Sequence, residues 1–158
     1  MVNLMMFGRA YSNVFNGEKV LADDTGASTD QIVLRGVPFQ SEIGFLTLFE
    51  HYKSIEVGSF FKNPRYPVWV VCSESHYSVL FGLDPALTKG IPSKAFDLYY
   101  YDPLGKQEEV YRLTVDPHPQ PPPDPEQLNS IHNPPIDHVI RTRWPGAVVD
   151  WNGSEALL

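Results

Sequence analysis

Between residues 55 and 115 the chain reads as short runs of β-branched and aromatic residues: IEVGSFF at 55–61, PVWVVC at 67–72, HYSVLFG at 76–82, FDLYYYD at 96–102 and EVYRLTV at 109–115. Each run has strand length, and Gly, Pro, Asn or Asp separates most of them, which predicts an antiparallel meander. Only Ser73, Glu74 and Ser75 lie between the second and third runs, a link short enough for a hairpin. Upstream, Leu4, Met5, Phe7, Tyr11, Val14 and Phe15 have the spacing of an amphipathic helix over 1–15. Residues 16–30 have loop composition and precede a short strand at Ile32–Arg35. Ser41 reads as an N-cap with Glu42 in the first turn, and Ile43, Phe45, Leu46, Leu48 and Phe49 give a helix ending near His51 and Tyr52. Residues 116–136 hold more than half of the 15 prolines. Proline brings no N–H to a ladder, so this stretch predicts an exposed, polyproline-like loop. HVIRTRWP at 138–145 then predicts a closing strand whose Val, Ile and Trp need a core. The pattern is that of an α+β chain: two helices, then an antiparallel sheet interrupted by the Pro-rich loop.

Composition narrows the function classes. With 158 residues and 42% hydrophobic content the chain has the size of one domain with a modest core. Its net charge of −7, without Lys or Arg runs interleaved with aromatics, argues against a nucleic-acid partner. The longest apolar stretch, 67–72, falls far short of the roughly 20 residues a membrane helix needs, so no membrane partner is expected. The first residues have neither a basic n-region nor a small-residue cleavage site, so a signal peptide is not expected. A single cysteine cannot close an internal disulfide, which fits a reducing compartment, cytoplasmic or nuclear. His51, His76, His118, His132 and His138 match no ligand spacing, and the scattered glycines form no phosphate-cradling loop. Neither a metal nor a cofactor is expected, and there is no internal repeat.

Few residues remain as candidates for chemistry. His76 opens an apolar strand directly after a short link, where a rigid sheet can hold an imidazole toward a cleft as a general base; a structural strand-end histidine has the same signature. Cys72 lies four positions earlier. A thiol and an imidazole cooperate only within hydrogen-bond reach, and four residues of straight strand span about 13 Å. VWVVC also reads as a buried strand in which a cysteine is a small hydrophobe. Asp97 and Asp102 flank LYYY, and either could orient an imidazole, although Asp before Pro, as at Asp102, is also a turn signal. Within the Pro-rich loop, HPQPPPDP has PxxP spacing, the pattern of a polyproline-docking segment or of a plain linker.

The segment FFKNPRYPVWVVCSESHYSVLFG resembles the MINDY deubiquitinases, especially the branch of their third and fourth members. The similarity extends through GRAYSNVFNG, SEIGFLTLFEHY and FDLYYYD to VIRTRWPGAVVDWNG, nearly the whole chain, 1–158. What the resemblance implies is the C-terminal, sheet-rich part of a papain-like cysteine protease fold. In that fold a cysteine at a helix N-terminus attacks the isopeptide carbonyl and a histidine on the neighbouring sheet activates it. His76, in SESHYSVLF, stands at the position of the family's catalytic histidine. The implied partner is ubiquitin, as lysine-linked polyubiquitin of the proteasome-targeting type. The family's nucleophilic cysteine and oxyanion-hole glutamine lie upstream of the matching region, and Cys72 matches a strand cysteine instead. The isolated chain is therefore expected to be inactive: a fragment, or a catalytically inactive ubiquitin-binding paralogue in which Tyr77, Tyr99 or Tyr101 meets ubiquitin.

Overall fold

The computed structural model describes residues 1–21, 31–105, 107–118 and 134–155. Its elements, in chain order, begin with helix α1 (Val2–Phe7) and strands β1 (Glu18–Leu21), β2 (Ile32–Arg35) and β3 (Gly44–Thr47). Helices α2 (Leu48–His51) and α3 (Ser59–Lys62) follow, then the hairpin of β4 (Val68–Ser73) and β5 (His76–Phe81). A 3-10 turn (Pro85–Thr88), β6 (Phe96–Tyr101), β7 (Tyr111–Asp116), helix α4 (Pro135–Arg143) and β8 (Val148–Asp150) complete the set. One sheet has six strands in the order β3-β4-β5-β6-β7-β8; β1 and β2 form a separate antiparallel pair. The class is α+β, but the large sheet is mixed, because β3 runs parallel to β4 while the other neighbours are antiparallel.

Alternation along these strands sorts side chains onto two faces. Leu46, Trp69, Val71, Leu80, Leu98, Leu113 and Val115 point to one face and bury against Ile136, Val139, Ile140 and Trp144. Phe45, Val70 and Cys72 point to the other, where Val37, Val57, Phe61 and the α1 segment cover them. α4 is stapled in place by Arg143, which is buried and donates to the carbonyls of Lys62 (2.8 Å), Leu87 (3.2 Å) and Gly90 (2.9 Å).

Four of the departures from the sequence expectations have a visible physical reason. Residues 138–145 are helical: Ile136, Val139, Ile140 and Arg143 recur at helical spacing and are all buried, and Pro135 occupies the first turn, where its missing N–H costs nothing. The helix expected from Ser41 to Tyr52 is strand β3 followed by one turn of α2. Its GFLTL run is buried on both faces, the case in which apolar periodicity does not separate strand from helix, and pairing with β4 decides it. Thr47, the last residue of β3, accepts from the Phe49 N–H and so starts α2. The strand expected at 55–61 contains α3. Asn16, more than forty residues away, accepts from the Phe60 N–H at 3.0 Å and donates to Ser59 Oγ at 2.7 Å, capping that helix from outside its own sequence. α1 stops at Phe7 because Gly8 turns left-handed (φ 67°), and Asn3 donates to the Tyr11 and Asn13 carbonyls, folding 9–13 back on it.

The loop expected over 16–30 contains β1, and β8 was not foreseen. Of the Pro-rich segment, residues 119–133 lie outside the described residues, and with them His132 and nearly all of the PxxP segment. Strand expectations at 67–72, 76–82, 96–102 and 109–115 agree with β4 to β7.

Candidate active site

The link after β4 folds as a two-residue turn. Ser73 pairs with His76, leaving Glu74 and Ser75 as the loop, and Glu74 takes a positive φ of 56°, the conformation a tight hairpin requires at its first loop position. The Cys72 thiol donates to the Glu74 carbonyl at 3.3 Å. His76 is thereby fixed as the first residue of β5. Since paired residues share a face, its side chain lies on the face of Trp69, Val71, Ser78 and Leu80.

β6 brings a carboxylate to that imidazole. Leu80 pairs with Tyr100, so Asp102, two residues beyond Tyr100, emerges on the same face beside Ser78 and His76. Asp102 Oδ2 is 2.7 Å from His76 Nε2. The other oxygen, Oδ1, accepts from the Leu104 N–H at 2.9 Å, closing an Asx-turn. The two readings open for Asp102, turn former and imidazole partner, thus hold together, one on each carboxylate oxygen. The turn is clamped from behind: the Asp102 N–H donates to Gln107 Oε1 at 2.8 Å, and Gln107 Nε2 reaches the Tyr100 carbonyl at 3.4 Å.

Burial works to raise the Asp102 pKa, but the Leu104 N–H, the His76 ring and the Gly105 N–H together outweigh it and hold the carboxyl below its ordinary 3.8. An ionised Asp102 selects the His76 tautomer with the proton on Nε2. Nδ1 then keeps its lone pair, and among the described residues it has no hydrogen-bond partner. The His76 side chain is 35% exposed and that of Asp102 only 6%, so solvent or a substrate reaches the base and not its orienting group. Nearby, burial first and the Asp102 charge in addition push the Tyr100 hydroxyl above its ordinary range, against the opposing effect of its hydrogen bond to Ser78.

The other candidates are separated from this pair. Cys72 and Tyr77 pair across the hairpin on the opposite face, where the thiol is buried among Val37, Phe45, Val57 and Phe61. The sheet therefore stands between the Cys72 thiol and the half-buried His76 imidazole. Asp97 is an odd number of residues from Asp102 and faces away from His76; it accepts from Thr114 Oγ1 at 2.9 Å and sits 3.6 Å from Arg112. Tyr77, Tyr99 and Tyr101 share that opposite face, with Tyr77 and Tyr101 exposed and Tyr99 stacked on Phe81 at 5.3 Å. Gln107 was not singled out by the sequence, where nothing distinguishes it from a surface loop glutamine. Among the described residues no group of three or more His, Cys, Asp and Glu could hold a metal ion, and no helix is long and apolar enough to cross a membrane.

The chain has relatives among known proteins. Residues 1–153 match the model described as the deubiquitinating enzyme MINDY-3/4 conserved domain. The whole chain aligns at 51% identity with the mouse probable ubiquitin carboxyl-terminal hydrolase MINDY-4, covering 21% of that protein. The Xenopus tropicalis protein of the same name is 50% identical over the whole chain, with 20% of its length covered. The Drosophila melanogaster ubiquitin carboxyl-terminal hydrolase MINDY-3 homolog is 44% identical over 66% of the chain and 18% of its own length. The chain thus spans about a fifth of the length of these relatives. No solved structure matches it.

Proposed function

The chain belongs to the MINDY-3/4 deubiquitinating-enzyme family, and from that premise we propose that it forms the histidine-bearing, sheet-rich part of a papain-like ubiquitin carboxyl-terminal hydrolase. His76 is the general base and Asp102 its orienting group. The observation that carries this reading is the 2.7 Å contact between a half-buried, solvent-reachable imidazole and a buried carboxylate. In the reaction, Nδ1 of His76 takes the proton of a cysteine thiol, and the thiolate adds to the isopeptide carbonyl. The imidazolium, stabilised by Asp102, returns that proton to the departing lysine amine, leaving a thioester that water, deprotonated by the same imidazole, hydrolyses. The thiol is not Cys72, which faces the other side of the sheet; it is a cysteine other than those of residues 1–158. The substrate is lysine-linked polyubiquitin of the proteasome-targeting type. The compartment is cytoplasmic or nuclear, in keeping with a single unpaired thiol.

A second reading, a non-catalytic ubiquitin-binding module, is favoured by the exposed Tyr77 and Tyr101 on the sheet face opposite His76. One experiment separates the two. The 158-residue chain is incubated with ubiquitin bearing a thiol-reactive C-terminus and with tetraubiquitin, and ubiquitin is titrated in parallel by NMR. Neither labelling nor cleavage is expected, and ubiquitin should perturb the signals of His76, Ser78 and Asp102. Perturbation confined to Tyr77, Tyr99 and Tyr101 selects the binding module. Labelling of Cys72 with cleavage that needs both Cys72 and His76 refutes the separation of thiol and base.

A further inference from the structure

Away from the His76 site, α2 and α4 meet at a pair of stacked imidazoles. The ring of His51, the last residue of α2, lies 4.2 Å from that of His138 on α4, with the planes inclined by 24°. Beside the pair lies a shallow, open cleft of about 250 Å³ lined by Glu50, His51, Lys53, Lys62, Arg141 and Thr142. Its charge runs against that of the whole molecule: with the imidazoles neutral, three cations and one carboxylate line it, whereas the chain carries −7.

The one lining carboxylate is engaged through one oxygen, its Oε2 being buried without a hydrogen-bond partner among the described residues. Glu50 Oε1 holds the Lys62 ammonium at 2.9 Å and accepts from the Val57 N–H at 3.0 Å. Arg141 is anchored at one side only, its Nε donating to the Ala147 carbonyl at 2.9 Å and one terminal nitrogen lying 3.7 Å from Asp137. Lys53, exposed at the end of α2 with φ 58°, is in no ion pair among the described residues. The groups that face His51 are therefore Lys53 from its own segment, the Glu50–Lys62 pair, and His138 and Arg141 from α4, with Asp137 behind Arg141.

We propose that this cleft is a binding site for a tetrahedral oxyanion of the phosphate or sulfate type, held by Lys53, Arg141 and the His51 ring with His138 stacked behind it. The His138 imidazole resists protonation: desolvation first, then the charges of His51 and Arg141, hold it below its ordinary 6.5. A bound dianion reverses that balance, so anion and proton bind together and affinity rises as pH falls.

Sulfate is the suitable probe, because it stays a dianion over roughly pH 5 to 8 and its own protonation adds no pH dependence. The 158-residue chain is titrated with sodium sulfate at ionic strength held constant with sodium chloride, reading the ring signals of His51, His138 and His76 by NMR. The expected result is saturable shifts at His51 and His138 but not at His76. Affinity should rise by up to about tenfold per pH unit on acidification and fall at least fivefold in Lys53→Gln and in Arg141→Gln. Lys53 is exposed, so its replacement leaves the fold intact and keeps the test decisive. Parallel titrations with inorganic phosphate and O-phosphoserine distinguish a free anion from an esterified one. Shifts that never saturate, that chloride alone reproduces, or that persist unchanged in Lys53→Gln overturn the proposal.

Discussion

Replacing Asp102 by Asn keeps the shape of the side chain and removes its charge. The carbonyl oxygen of the amide still accepts from the Leu104 N–H, now 2.9 Å from Oδ1, so the Asx-turn survives. The amide nitrogen then stands where Oδ2 now meets His76 Nε2 at 2.7 Å. Two N–H groups cannot face one another, so His76 must accept on Nε2 and carry its proton on Nδ1. That is the tautomer with no lone pair directed toward a thiol. A charge-assisted hydrogen bond contributes about 1.5–3 kcal/mol. Because the His76 side chain is 35% exposed, solvent screening places the loss near the lower end, about 1.5 kcal/mol. The Asp102 contribution is fully present above its unfolded value near 3.8 and is lost as pH falls through its depressed folded pKa; Asp102→Asn should lack that acid-side transition. Long-range ¹H–¹⁵N correlations of the His76 ring report the tautomer, and urea unfolding reports the stability. A variant that keeps its proton on Nε2, or that loses less than about 0.5 kcal/mol, refutes the argument. In an intact family enzyme the same substitution should cut turnover by about 10⁴.

Other perturbations have outcomes set by the same structure. Gly44→Ala places a Cβ 2.1 Å from the Trp69 indole and 2.5 Å from the Phe61 carbonyl oxygen, and should cost about 3 kcal/mol or more in urea unfolding because neither neighbour can yield. Asn16→Ala removes the external cap of α3 and should cost about 1–2 kcal/mol, with hydrogen exchange accelerated at Phe60 before the rest of the sheet. Arg143→Lys keeps the charge but cannot serve the Lys62, Leu87 and Gly90 carbonyls together, and should lower the melting temperature by several degrees. His138 has a folded pKa below 6.5, so its contribution to stability is full above that pH and is lost as pH falls through the folded value; His138→Gln should flatten the stability profile on that side.

Strands β4 to β7 were legible in the sequence because their signal is local. Runs such as VWVVC and HYSVLF carry β-branched and aromatic residues at strand length, and the three residues between them leave room for nothing but a turn. His76 was legible for the same reason, as the first residue after that turn. What the local pattern could not contain were choices made by distant partners. Phe45 to Phe49 became a strand and one helical turn because β4 offered a parallel edge, and Ser59–Lys62 became a helix because Asn16 caps it from another segment.

The active-site candidate divides along the same line. Sequence alone supplied the imidazole, two possible carboxylates and a thiol, all within a stretch of 31 residues from Cys72 to Asp102. Only the register of β5 against β6 decided that Asp102 and not Asp97 meets His76, and only the pleat decided that Cys72 faces away. The physical reason is that side-chain chemistry is a property of residue type, which a sequence states outright. Which side chains meet depends on strand register, where a shift of one residue sends every group to the opposite face.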